Sequence, residues 1–154
     1  MGQLSTTIKN KLAKHIFLNE AIAGIGDFSG IQPSSADGKF YLRLCTDDVE
    51  VDDDTLGTEC TFTGYPSGGI ELSRGSSGDF EVNDNIASNI DDIELTVDSG
   101  FAGTETVKYA ELWMNNSGNT EAERISHCEL SSEIELQAND IFRISAGNLK
   151  FPID

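Results

Sequence analysis

The sequence predicts a mainly β protein, an antiparallel β-sandwich of jelly-roll or immunoglobulin-like type with one N-terminal α-helix. Three observations carry this. A single segment, near the start, repeats its apolar residues at helical spacing, and every later apolar run alternates at period two. These runs are short and separated by clusters of Gly, Pro, Asn, Asp and Ser. The gaps hold no helical crossovers, so the strands must pair antiparallel. A chain of 154 residues is long enough to bury one core without disulfides, which gives a single domain over 1–154, with the helix over 5–24 and the sandwich over 39–154.

The helix opens on the capping hydroxyls of Ser5, Thr6 and Thr7. Ile8, Leu12 and Ile16 recur every fourth residue on one side, with Phe17, Ala21 and Ile22 extending it, and Lys9, Lys11 and Lys14 take the other side. Gly24 and Gly26 are its expected end. Three lysines make it a basic element on an acidic chain, suited to packing on a sheet or docking on an acidic neighbour. A loop follows through Gly30, Pro33 and Asp37-Gly38.

The first clear strand sets Phe40, Leu42 and Leu44 on one face and Tyr41, Arg43 and Cys45 on the other. Short strands are then expected over Cys60–Thr63, Gly69–Arg74, Asp79–Val82, Asn85–Ser88 and Ile93–Val97, with turns at Pro66-Ser67-Gly68-Gly69, Gly75-Ser76-Ser77-Gly78 and Asn83-Asp84-Asn85. Val107 to Met114 reads as a strand apolar on both faces, with Trp113 in the core. Ile125 to Leu130 and Ile134 to Leu136 continue the alternation. Phe142 and Ile144, the Ala146-Gly147-Asn148 turn, and Leu149, Phe151 and Ile153 read as a closing hairpin whose last arm, carrying Pro152, belongs at a sheet edge.

The net charge is -17, which opposes approach to nucleic-acid backbone or an anionic membrane surface; neither is an expected partner. The charge serves solubility or a basic partner surface. Cys45, Cys60 and Cys128 are odd in number and lack CxxC spacing, so reduced thiols are expected, with no disulfide framework and no zinc site. The opening residues show neither an export core nor a membrane span, and a protein folded in cytoplasm is the expectation. Without export, the sequon at Asn115-Asn116-Ser117 is a chance match.

The run Asp47 to Asp54 invites a calcium reading, yet Thr55-Leu56-Gly57 arrives out of register for an EF-hand loop, and a solvated loop is expected. His15 sits on the helix as a packed or capping histidine. His127 and Cys128 are strand neighbours whose side chains face opposite sides and cannot form a dyad. No GxSxG, HExxH or phosphate-cradling glycine loop occurs. No catalytic, cofactor-binding or metal-ligating residues are therefore nominated, and the chain is expected not to be an enzyme.

The segments Asn10-Lys11-Leu12-Ala13-Lys14-His15-Ile16-Phe17, Thr63-Gly64-Tyr65, Tyr109-Ala110-Glu111-Leu112 and Asp140 to Leu149 resemble a family of small virion proteins of tailed bacteriophages, labelled tail fibre or minor structural proteins. The resemblance spans nearly the whole chain, and its motifs are structural. It implies a virion location after assembly in the host cytoplasm, other virion proteins (major capsid or tail proteins) as partners, and no active-site residues to carry over. A compact chain without a stalk suits capsid decoration, a cement role on the head shell, better than spanning a distance as a tail or tail-fibre component at the host receptor. A homo-oligomer is expected, a trimer first, because capsomer junctions present three-fold symmetry. A virion-borne glycan hydrolase is the third class, to be tested by glycan release.

Overall fold

The computed structural model describes residues 4–23, 30–47, 56–117 and 123–153. Most of the acidic run, residues 48–54, lies outside them. The described elements are one helix, α1 (Thr6–Leu18), and nine strands: β1 (Lys39–Cys45), β2 (Ile70–Ser73), β3 (Phe80–Asn83), β4 (Ile86–Asn89), β5 (Ile93–Thr96), β6 (Glu105–Trp113), β7 (Arg124–Leu136), β8 (Ile141–Ile144) and β9 (Lys150–Pro152). The chain is mainly β with one helix near its N-terminus and antiparallel sheets, the class its periodicity predicts. It divides into two compact units. One gathers described residues within 1–38, 73–93 and 144–154, the other those within 39–72 and 94–143.

In the first unit Ser5 caps α1, its hydroxyl accepting the Ile8 N–H at 3.4 Å. The helix ends at Leu18, well short of residue 24, because Asn19 turns left-handed (φ 56°). Its last carbonyls also find partners outside the helix. The Arg74 guanidinium donates to the carbonyls of His15 and Ile16, and the Gly75 N–H donates to that of Phe17 at 3.0 Å. Beyond the cap, Ile22 is fully buried and forms an antiparallel bridge with Ile31 instead of prolonging the helix.

The buried side of α1 differs from the expected one. Ala13 and Phe17 are fully enclosed, whereas Ile8, Leu12 and Ile16 are only half-buried. Phe17 meets Phe80 and Phe151 with ring centroids 5.1 and 5.5 Å away, and the latter two rings lie 6.2 Å apart. These rings belong to the sheet β3-β4-β9. The turn between β3 and β4 places Asp84 and Asn85 at φ 48° and 63°, the positive pair that a two-residue hairpin requires. β9 pairs with β4 at the edge of this sheet, where Pro152 withholds no ladder bond that a further strand would need.

In the second unit the sheet order is β2-β1-β6-β7, with β1 and β7 both antiparallel to β6. Leu42, Leu44, Leu112 and Trp113 are fully buried. β5 and β8 form a two-stranded sheet.

Two expectations about strands fail. The closing hairpin does not form, because β8 pairs with β5 while β9 pairs with β4. The Ala146-Gly147-Asn148 turn is present, with Asn148 N–H donating to Ser145 at 3.1 Å. Its flanks, however, are drawn to the almost fully buried Asn89, which donates from its side chain to the Ser145 carbonyl and accepts from the Leu149 N–H. The second failure is Cys60–Thr63, which is not a strand. Backbone bonds hold its ends, Cys60 N–H to the Leu44 carbonyl and Asp98 N–H to the Thr63 carbonyl, and between them the Glu105 carboxylate accepts the N–H groups of Thr61 and Phe62 at 2.9 Å each.

Candidate functional site

A buried gathering of ionisable side chains lies on one face of the four-stranded sheet. The register sets Arg43 of β1 opposite Glu111 of β6, and Glu111 opposite His127 of β7, so three ionisable side chains form a row across the sheet. Next to it, a one-residue bulge pairs Trp113 with Arg124 instead of Ile125. That slip brings the Arg124 guanidinium to Glu111.

Glu111 is 1% exposed, and its carboxylate is fully engaged. One oxygen accepts from Arg124 at 2.9 Å and from the Gly57 N–H at 3.2 Å; the other accepts from the Trp113 indole N–H at 2.8 Å. The Arg43 guanidinium stacks 4.0 Å from the centroid of the Trp113 ring, and its Nε donates to the Gly68 carbonyl at 3.4 Å. Three donors hold the buried carboxylate and Arg43 holds the Gly68 carbonyl, so the row keeps charge in place and fastens the Gly57 and Gly68 loops to the sheet. His127 adds one loose end, an Nε2 that is buried without a hydrogen-bond partner among the described residues.

Other carboxylates act as anchors for backbone. Asp47 accepts the Thr58 N–H and hydroxyl at 2.6 Å each, Glu59 the Gly68 N–H at 2.7 Å, and Asp92 the Ala146 N–H at 2.8 Å. At Asp47 burial pushes the carboxyl up, but the two Thr58 bonds outweigh it and leave the pKa lowered. Part of the acidity is thus spent on loop fastening. Sequence reading missed this, since an Asp or Glu that caps a distant N–H carries no local signature.

Of the thiols, Cys45 and Cys60 lie on neighbouring segments, Cys60 donating its backbone N–H to the Leu44 carbonyl at 2.8 Å. Cys45 and Cys60 are buried, Cys128 is exposed, and all are free. His15 Nδ1 lies 2.7 Å from the Glu20 carbonyl just past the helix, a capping position. A shallow cavity of about 320 Å³ opens where β7 bulges, lined by Lys108, Tyr109, Glu129, Ser131, Ser132 and Glu133, and the Lys108–Glu133 ion pair spans it at 3.2 Å. Among the described residues no group of three or more His, Cys, Asp or Glu gathers as a metal site, and no helix is long and apolar enough to cross a membrane.

Burial pushes the Cys60 thiol up to about 12 from 9.0, and raises Cys45 and the Tyr65 phenol as well. Since the folded chain holds these protons after the unfolded chain has released them, the contribution of these groups is intact below pH 9 and is lost above it. Each thiol contributes a loss of about 1.4 kcal/mol per pH unit until its folded pKa is reached. Urea unfolding should therefore show a fall of about 3 kcal/mol between pH 8 and pH 10, roughly halved by Cys60→Ala. A flat profile would show that neither thiol is sealed. No protein-family model matches the chain, and no curated protein does either.

Proposed function

We propose that this chain is a non-enzymatic virion structural protein of a tailed bacteriophage, a capsid decoration protein that attaches to the head shell and associates with its own copies. The sequence resemblance described above supplies the virion class. The observation that carries attachment is α1. On a chain of net charge -17 its thirteen residues hold Lys9, Lys11 and Lys14 and no acid. Beside them Ile8, Leu12 and Ile16 keep part of their apolar surface in solvent because Ala13 and Phe17 take the buried side. A basic and partly apolar ridge suits a surface carrying carboxylates and apolar side chains, and gives an acidic protein a face from which its own repulsion is lifted.

The test uses heads stripped of this protein. Lys9→Glu, Lys11→Glu and Lys14→Glu together should weaken attachment by roughly tenfold or more while leaving the far-ultraviolet circular dichroism unchanged. Purified protein that binds tails or host cells and ignores such heads would reject decoration in favour of a tail or tail-fibre role.

A further inference from the structure

We infer that the free edge of β7 pairs antiparallel with the same edge of a second copy, around a two-fold axis at Cys128. β7 is thirteen residues long and terminates its sheet, with β6 as its one hydrogen-bonded strand neighbour among the described residues. Among the described residues no strand takes up its outward backbone groups. Edge strands are ordinarily guarded by Lys, by Pro or by bulges. β7 contains neither Lys nor Pro. It does bulge twice. Between the Tyr109–Glu129 and Val107–Ile134 pairs it advances five residues while β6 advances two, and a second irregularity lies at Ile125. The bulges leave a regular stretch from Ser126 to Glu129 between them, half-buried or exposed throughout.

That stretch carries little charge for so acidic a chain. Ser126, His127 and Cys128 carry no formal charge with His neutral, and Glu129 is the stretch's one acid. With Cys128 opposite Cys128, each Glu129 falls opposite the partner's copy of His127, and Ser126 opposite Leu130. The arrangement is isologous, so the favourable pair occurs twice. Pairing one residue out of this register would set Ser126 against Glu129 and lose it. A second copy is thus favoured over an unrelated extended peptide because this edge complements itself. The partly exposed ridge of α1 is another candidate surface, but two such ridges would bring like-charged lysines together, which disfavours α1-to-α1 pairing. The inference rests on the self-association part of the reading above and departs from the expected trimer.

The experiment uses the full chain without heads. Sedimentation velocity over a dilution series should show a monomer–dimer equilibrium, and a short bis-maleimide should link the two copies through Cys128, since Cys45 and Cys60 are buried. Glu129→Lys should weaken the dimer about tenfold by removing the acceptor opposite His127, and adding His127→Glu should restore it by setting an opposite-charge pair in its place. A monomer at every concentration, a trimer, or a dimer that does not link through Cys128 would overturn the inference. Loss of pairing with head binding intact removes only this proposal, and pairing without head binding removes only decoration.

Discussion

Glu111→Leu is expected to destabilise the protein by about 3–5 kcal/mol, the cost of breaking a buried ion pair from one side. The Arg124 side chain is 4% exposed and loses its carboxylate. The Gly57 N–H and the Trp113 indole N–H lose their acceptor at the same time. Glu111→Gln retains an amide oxygen that can accept from one side and should cost less than the leucine variant. The double variant Glu111→Leu with Arg124→Leu removes both charges, and buried ion pairs replaced as a pair are close to neutral. Its destabilisation should accordingly fall well below that of Glu111→Leu alone, a coupling that a double-mutant cycle in urea reads directly. Trp113 fluorescence supplies an independent signal, because its N–H bond goes only when Glu111 goes. Equal costs for the single and double variants would mean that Arg124 is not held by this carboxylate.

Much of the fold was open to sequence reading where a local pattern decides the outcome. The strand with Phe40, Leu42 and Leu44 forms, as does the one ending in the buried Trp113, and the Asn83-Asp84-Asn85 turn carries the positive φ values its residues tolerate. What escaped depends on long-range register. Glu111 lies between Tyr109 and Trp113 in an apolar strand, and its partner Arg124 stands thirteen residues further on, aligned only through a bulge. No local period reports that alignment. The terminal strands part for a similar reason: the turn between them has hairpin chemistry, yet Asn89, almost sixty residues earlier, binds both of its flanks. Acidic residues were legible as charge but not as acceptors for the N–H groups of Thr58, Gly68 and Ala146.

The helix offers the sharpest separation between pattern and packing, and Phe17→Ala is expected to cost about 3–5 kcal/mol. The fourfold spacing of Ile8, Leu12 and Ile16 marks them as the natural buried ridge. In the structure they keep part of their surface in solvent, while Phe17 is 1% exposed between the rings of Phe80 and Phe151. Truncating Phe17 removes both ring contacts and leaves a cavity that the paired strands β4 and β9 cannot close by moving. For a chain of this length the melting temperature should drop by on the order of 10 °C. Leu12→Ala and Ile16→Ala delete side chains that keep part of their surface in water, and each should cost roughly half as much or less. Helical circular dichroism at 222 nm, followed through thermal unfolding of all three variants, ranks them. If Leu12→Ala or Ile16→Ala proved the more damaging, α1 would be turned about its axis to bury the ridge that its spacing marks. The solvent-facing patch assigned to head attachment would then be the core face, and the reading built on it would go with it.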